Sequence, residues 1–239
     1  MSGQKPTVVL VHGAFADSSS WNGVVERLQS YDYPVLAAAN PLRGLTSDSE
    51  YVKQVVASVE GPVVLVGHSY GGAVVSNAAK GLDNVKALVF VAAFMPDEGE
   101  SALDLAGRFP GSTLGEALRP VPVTLSDGSR TVDLYIEKSR FHHQFAADVP
   151  EETATVMAAT QRPVTNAALA EAASAAAWKE IPSWVLVATE DLNIPPRTQT
   201  FMAERAKATS IAVAASHAVG VSHPVDVARL INEAAQATA

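Results

Sequence analysis

The sequence predicts an α/β fold: a mostly parallel central sheet of about six strands with helices on both faces and a helical lid insertion. The chain has 239 residues, 48% of them hydrophobic, which suits one domain with a large core. Apolar runs without polar alternation, such as residues 63–66, indicate strands buried on both faces. Longer helical patterns separate these runs, which is the order expected for parallel strands joined by right-handed crossovers.

The elements follow from these patterns in chain order. Asp17, Ser18 and Ser19 offer caps for the first helix, and Pro195 and Pro196 suit the opening turn of a later one. Strands are expected near residues 7–11, 34–39, 62–66, 85–91, 183–189 and 210–214. Helices are expected near residues 18–30, 48–59, 70–80, 196–207 and 224–236.

The alternation of strand and helix is interrupted once, in an insert between about residues 97 and 178. Helical segments are expected there at 151–161 and 166–178, with no strong strand between them. Connections of this length usually carry structure of their own. We therefore expect residues 1–239 to form a single domain, with the insert folded as a mostly helical lid over the carboxyl edge of the sheet. A separate small domain or a mobile linker is the alternative.

Charge and composition exclude several function classes. Seventeen basic and 25 acidic residues give a formal charge of −8, which would repel nucleic acid and an anionic membrane surface. The chain has no cysteine, which excludes disulfides, thiolate nucleophiles and zinc–thiolate sites.

The first residues lead into a strand without the apolar core of a signal peptide, and no apolar stretch reaches the roughly 18 residues of a membrane span. We expect a cytoplasmic protein; the sequence is compatible with a homodimer.

The most informative motif is Gly67-His68-Ser69-Tyr70-Gly71. It follows an apolar strand and precedes an alanine-rich helical stretch, the context of a nucleophile elbow. In such an elbow a tight turn between strand and helix exposes the serine hydroxyl, and glycines flank it because side chains would collide with neighbouring backbone. Ser69 is therefore the predicted nucleophile.

A serine nucleophile needs a base, and the base needs an orienting acid. Of the six histidines, His217 follows a predicted strand within a few residues, which places it at the same sheet edge as the nucleophile. Asp191 follows the strand before that, in the expected chain order between serine and histidine. His223 is the alternative base and Glu190 the alternative acid.

Two backbone amides are predicted to form an oxyanion hole, those of Tyr70 and Ala14. Tyr70 directly follows the nucleophile, and Ala14 lies in the loop after the first strand, where His12 is expected to support the loop by hydrogen bonding. Aromatic residues near the predicted site suggest an apolar substrate pocket, although each is equally suited to a place in the core. The predicted lining residues are Phe15, Trp21, Phe94 and Phe141.

No cofactor and no metal ion are expected. The chain lacks an H-E-x-x-H motif, and the adjacent His142 and His143 would point to different faces of a helix. An early G-x-G-x-x-G dinucleotide motif is absent, and the glycines at residues 67–72 lack the lysine of a phosphate-binding loop.

Five motifs together resemble the α/β-hydrolase group that contains plant salicylate-binding methylesterases and hydroxynitrile lyases. These are Val11-His12-Gly13-Ala14, Gly67-His68-Ser69-Tyr70-Gly71-Gly72, residues 91–97, Thr189-Glu190-Asp191 through Ile194-Pro195, and Ser216-His217. The resemblance covers residues 7–97 and 182–236 and implies an α/β-hydrolase fold, with Ser69, Asp191 and His217 as the triad and Ala14 and Tyr70 as oxyanion donors. The insert matches poorly.

Two positions separate the activities of this group. Its lyases carry threonine after the first-loop histidine and lysine after the catalytic histidine, where this chain has Gly13 and Ala218. The resemblance therefore favours an esterase, and we predict a serine hydrolase of small carboxylic esters that acts through an acyl-enzyme. The alternatives are a hydroxynitrile-lyase-like or carbon–carbon cleaving activity, a cofactor-free perhydrolase, and a ligand-binding receptor without turnover.

Overall fold

A computed structural model describes residues 5–238 of the chain. Residues 1–4 and residue 239 lie outside the described residues. The prediction that the first residues do not form a signal peptide rests partly on residues 1–4. The central sheet has six strands: β1 (Thr7–Val11), β2 (Val35–Ala38), β3 (Val63–His68), β4 (Val85–Val91), β8 (Ser183–Ala188) and β9 (Thr209–Val213). Their order in the sheet is β2-β1-β3-β4-β8-β9, and every pair is parallel. The predicted fold class is confirmed.

Successive side chains of a strand point to opposite faces, which divides the core into two layers. Val9 and Val11 of β1 belong to one apolar cluster, whereas Val8 and Leu10 belong to the other. The first cluster includes residues of α2 (Leu45–Ala57), α3 (Tyr70–Ala78) and α9 (Pro196–Arg205). The second includes residues of α1 (Asn22–Ser30), α10 (Val219–Ser222) and α11 (Pro224–Ala237). Helices therefore cover both faces of the sheet.

The insert is not mostly helical, which corrects the prediction. It contains a three-stranded antiparallel sheet in the order β5-β6-β7, formed by Leu118–Thr124, Arg130–Ile136 and Val164–Thr165. A turn at Asp127 and Gly128 joins the first two strands, with Gly128 at φ 84° and Leu125 N–H donating to Ser129 O at 2.8 Å. An Asp-Gly pair between alternating residues is a hairpin signal, so the sequence contained this information.

One helix of the insert is shorter than predicted. They are α4 (Ala102–Ala106), α5 (Leu114–Ala117), α6 (Lys138–Phe145), α7 (Glu151–Thr160) and α8 (Asn166–Ala170). The helix expected over 166–178 ends at Ala170, because the following backbone makes tertiary hydrogen bonds: Ala173 N–H donates to Glu100 O, and Ala175 N–H to Asn77 Oδ1. Tertiary contacts here outweigh the helix propensity of alanine.

Hydrogen bonds attach the insert to the loops at the carboxyl edge of the sheet. Thr165 N–H donates to Leu42 O at 3.1 Å, and Ala218 N–H donates to Phe145 O at 2.9 Å. Arg43 also forms an ion pair with Asp133 of β6 at 2.6 Å. Across residues 5–238, no helix has both the length and the apolar character needed to cross a membrane.

Candidate active site

Ser69 occupies the turn between β3 and α3 in a strained conformation. Its φ is 54° and its ψ is −126°, a region that residues with a side chain rarely adopt. Hydrogen bonds on both sides hold it there: its N–H donates to Val91 O at 3.3 Å, and its carbonyl accepts from Gly72 N–H at 3.0 Å and Phe94 N–H at 3.1 Å. The turn presents the hydroxyl at the carboxyl edge of the sheet.

The flanking glycines allow the close backbone approach that this turn requires. A Cβ on Gly67 would lie 2.5 Å from Gly71 O, and a Cβ on Gly71 would lie 2.5 Å from Val11 O. Backbone atoms cannot move aside as a flexible side chain could. The elbow can therefore form only with glycine at both positions.

His217 lies between Ser69 and Asp191, as the chain order predicted. Its Nε2 is 2.8 Å from Ser69 Oγ, and its Nδ1 is 2.7 Å from Asp191 Oδ2. Because a carboxylate only accepts, Nδ1 carries the proton and Nε2 is left as the acceptor for the serine hydroxyl. The imidazole is 1% exposed, so water does not compete for either nitrogen.

Four donors surround the Asp191 carboxylate, which is buried. Oδ1 accepts from the backbone N–H of Asn193 at 2.7 Å and of Ile194 at 3.0 Å. Oδ2 accepts from Gln199 Nε2 at 2.9 Å in addition to the imidazole. Donors on both oxygens hold the carboxylate in one orientation toward His217.

The alternative base and acid lie away from this arrangement. His223, directly after α10, has its Nδ1 2.9 Å from Ser222 Oγ and 3.5 Å from Asp148. Glu190 is exposed. The geometry therefore brings together Ser69, His217 and Asp191, and not the alternatives.

The amides of Ala14 and Tyr70 are the two that the sequence predicts as the oxyanion hole. Within residues 5–238 neither donates to a protein acceptor, and Tyr70 N–H opens the first turn of α3, where the helix dipole favours negative charge. The loop that carries Ala14 lies against the elbow, since a Cβ on Gly13 would be 2.5 Å from Ser69 Cβ. The next residue, Phe15, has φ 60° and donates its N–H to Arg162 O of the insert at 3.0 Å.

His12 stabilises this loop through hydrogen bonds to Gly13 and Asn40. Asn40 N–H donates to His12 Nε2 at 3.0 Å, which leaves the proton on Nδ1, and Nδ1–H donates to Gly13 O at 2.9 Å. Asn40 Nδ2 donates to His12 O at 3.0 Å. Burial lowers the pKa of His12, so the ring remains neutral.

His68 packs beside the imidazole of His217, with ring centroids 4.7 Å apart. Burial, followed by the nearby His217, holds the pKa of His68 well below its usual range. The neutral ring donates from Nε2 to His217 O at 2.8 Å. His68 thereby fixes the backbone of the neighbouring histidine without adding a positive charge.

A cavity of about 180 Å³ opens beside Ser69. Outside the insert, and besides Ser69, the cavity is lined by six buried residues: Ala14, Phe15, Tyr70, Phe94, Asn193 and Ile194. The remaining lining comes largely from the insert: Ala102, Leu103, Ala106, Ser112, Leu114, Gly115, Leu118, Leu134, Asn166 and Leu169. The lining contains no charged side chain.

Two of the four predicted pocket residues line this cavity, Phe15 and Phe94. The prediction was wrong for Trp21 and Phe141. Trp21 packs edge-on against His68 on the other face of the sheet, with centroids 6.1 Å apart. Phe141 stacks on Phe145 at 5.0 Å, and Phe145 in turn contacts the His217 ring, so Phe141 lies one layer behind the site.

Three polar residues at the site were not predicted. Gln199 orients Asp191, Asn193 lines the cavity, and Asp48 accepts a hydrogen bond from the Tyr70 phenol at 2.9 Å. Gln199 and Asp48 lie on helices whose pattern reads as ordinary amphipathic surface. Within residues 5–238, no group of three or more His, Asp and Glu side chains could hold a metal ion.

Comparison with protein families assigns this fold to a family. The model of the alpha/beta hydrolase family matches residues 8–230, nearly the whole chain. The chain belongs to the alpha/beta hydrolase family. The resemblance drawn from the five motifs is thus confirmed at the level of the family.

Two sequence relatives illustrate its place in the family. Alpha/beta hydrolase nvfD of Aspergillus novofumigatus is 30% identical over 222 residues, which cover 84% of each chain. Methylesterase 2 of Arabidopsis thaliana is 32% identical over 128 residues, 47% of this chain and 49% of the plant enzyme.

A solved structure supports the fold independently of sequence. Tomato methylketone synthase I, complexed with 2-tridecanone, superposes with a TM-score of 0.82 at 19% identity. The superposition covers 99% of this chain and 100% of the tomato protein. At this identity the similarity concerns the fold alone.

Proposed function

We propose that this alpha/beta hydrolase is a carboxylic-ester hydrolase that acts on small, uncharged esters through a serine acyl-enzyme. The observation that carries the proposal is the hydrogen-bonded series from Asp191 through His217 to Ser69, at 2.7 and 2.8 Å, beside an apolar cavity. Relatives named as esterases, among them Methylesterase 2, support the same reaction class.

Acylation follows from the arrangement of the hydrogen bonds. Ser69 Oγ attacks the ester carbonyl carbon as His217 Nε2 takes the hydroxyl proton, and the carbonyl electron pair moves onto oxygen. The Ala14 and Tyr70 amides would bind that oxyanion. Collapse of the intermediate breaks the bond to the alkoxy group, which leaves as the alcohol with the proton from His217.

Deacylation repeats the same steps with water. His217 removes a proton from water, the hydroxide adds to the acyl carbonyl, and Ser69 leaves with the proton returned by the imidazole. The Asp191 carboxylate stabilises the imidazolium in both half-reactions. The cycle consumes one ester and one water and needs no cofactor.

The cavity favours an esterase over a hydroxynitrile lyase. Cyanide release requires a positive group near the departing anion, and the lining contains none. The residue after His217 is Ala218, which is buried and donates its N–H to Phe145 O.

The test is hydrolysis of 4-nitrophenyl acetate, with mass spectrometry of the acid-quenched enzyme to locate the acetyl group. We expect turnover and acetylation at Ser69, and a loss of about 10⁴-fold or more in kcat in Ser69→Ala. Mandelonitrile should be cleaved far more slowly than the ester.

Ser76→Ala is the matched control, because Ser76 is also a buried serine, near the end of α3, and its hydroxyl has no partner in the described residues. It should keep wild-type activity. Full activity in Ser69→Ala would refute the proposal, and so would tight ester binding without turnover or a preference for mandelonitrile.

A further inference from the structure

Asn193 lies beside the cavity and carries an unpaired hydrogen-bond donor. The residue lines the cavity beside Ser69 and is 2% exposed. Its Nδ2 is buried and has no hydrogen-bond partner in the described residues. A buried donor without an acceptor is unfavourable, and an acceptor oxygen on a ligand would remove that cost.

The orientation of the carboxamide follows from its neighbours. Gln144 Nε2 donates to the carbonyl of Leu192 at 2.9 Å, which can only accept, and this fixes Gln144 with its amide nitrogen toward the loop. Thr113 Oγ1 donates to the other end of Gln144, Oε1, at 2.9 Å. The atom of Asn193 that meets Gln144 Nε2 at 2.8 Å must therefore be the oxygen, and Nδ2 is the unpaired end.

The backbone of Asn193 is held by the proposed triad. Its N–H donates to Asp191 Oδ1 at 2.7 Å, so the donor and the triad acid share one short loop. With the side chain fixed by Gln144 and the backbone by Asp191, the donor is preorganised for a ligand.

In the cavity interior, Asn193 is the polar residue to which no other role has been given. Ser112 and Asn166 lie at the exposed mouth, and the phenol of Tyr70 is bonded to Asp48. The rest of the interior is apolar. An uncharged acceptor oxygen fits this environment, whereas a carboxylate would be buried without a cation.

We propose that Asn193 Nδ2 donates a hydrogen bond to a second oxygen of the substrate, distinct from the ester group that Ser69 attacks. The substrate class is then a small uncharged ester that carries an additional neutral acceptor, such as an ether, ketone or further ester carbonyl oxygen. This inference rests on the ester hydrolysis proposed above and specifies its substrate.

Three esters with equal numbers of heavy atoms test it: butyl butanoate, butyl methoxyacetate and 2-methoxyethyl butanoate. The last two place an ether oxygen on the acyl or on the alcohol side. Hydrolysis by the wild type and by Asn193→Leu is followed in a pH-stat. Each kcat/KM is divided by the second-order rate constant for hydrolysis of the same ester by hydroxide without enzyme, which corrects for the intrinsic reactivity of the ester. We expect the wild type to prefer one ether ester over butyl butanoate, and Asn193→Leu to reduce that preference about 2- to 10-fold.

Thr198→Val is the matched control, since Thr198 Oγ1 is likewise buried without a partner but lies outside the cavity. It should leave the preference unchanged. An equal loss in Thr198→Val would mean that removing any buried polar atom has this effect, and would overturn the assignment.

A binding measurement separates this inference from the proposed reaction. Dissociation constants of the same three esters are measured by NMR titration with Ser69→Ala and with Ser69→Ala/Asn193→Leu. Weaker binding of one ether ester, relative to butyl butanoate, in the double variant supports the role of Asn193 even if the wild type hydrolyses none of them. Unchanged ratios for both ether esters, in hydrolysis and in binding, would refute it.

Discussion

The phenol of Tyr70 donates a hydrogen bond of 2.9 Å to Asp48 Oδ2, beneath the elbow that carries Ser69. Burial, followed by the charge of Asp48, raises the pKa of Tyr70 far above its ordinary value, so the phenol stays protonated. Burial also raises the pKa of Asp48, although its hydrogen bonds from Arg43 N–H and Tyr70 oppose this. Arg43 also pairs with Asp133, so this network links the insert to the residue proposed as an oxyanion donor.

Tyr70→Phe should therefore reduce stability more than catalysis. The buried carboxylate of Asp48 loses a donor, which should lower the free energy of unfolding by about 1.5–3 kcal/mol. The backbone N–H of residue 70 remains, so kcat should change much less than after loss of an oxyanion donor. Urea denaturation and ester kinetics check both effects. Tyr51→Phe, at a tyrosine 40% exposed, should change neither.

Gly13→Ala should damage catalysis through the loop that carries Ala14. The new Cβ would lie 2.5 Å from Ser69 Cβ and 2.8 Å from His68 O, so the loop must move away from the elbow. Loss of one oxyanion donor typically lowers kcat about 10²- to 10³-fold, and we expect a loss of this size. Gly107→Ala, where the nearest atom would be 3.7 Å from the new Cβ, should retain activity. Wild-type kcat in Gly13→Ala would argue against Ala14 as a donor.

The parts of the protein that were predicted correctly are those with a local sequence signal. Residues 63–66 are uniformly apolar and form most of strand β3, and Gly67 and Gly71 mark the turn at Ser69. The position of His217 was predicted from its distance to a strand end, and its Nε2 lies 2.8 Å from Ser69 Oγ, while its role as the base stays a prediction. Each of these inferences uses the physics of a few neighbouring residues.

The parts that were missed depend on contacts between distant segments. The hydrogen bond from Gln144 to Asn193 joins residues 49 positions apart, and no local pattern indicates it. Trp21 and Phe141 are large and apolar whether they line a pocket or fill the core, so residue type could not separate these roles. The hairpin of β5 and β6 is different, because its Asp127-Gly128 turn signal was present and was overlooked.

His217→Ala should be far more damaging than His223→Ala. Removal of His217 leaves Ser69 without the acceptor now 2.8 Å from its oxygen, and kcat should fall about 10⁴-fold or more. His223 contacts Ser222 and Asp148, outside the cavity, so its removal should leave kcat close to the wild-type value. Steady-state kinetics on 4-nitrophenyl acetate decide the ranking, and the reverse order would exclude His217 as the base.

Acid should destabilise the fold through His12 and His68. Burial lowers the pKa of both in the folded state, so below the ordinary histidine value of about 6.5 the unfolded chain binds more protons. Stability is present above that pH and is lost as the pH falls toward the folded-state values, by up to about 1.4 kcal/mol per pH unit for each histidine. His68→Gln, whose amide can still donate to His217 O, should flatten the loss measured by urea denaturation between about pH 5 and 7.5. His143→Gln, at an exposed position on α6, is the control and should leave the slope of unfolding free energy against pH as in the wild type. Equal slopes in the wild type and both variants would show that His68 is not a source of the acid sensitivity.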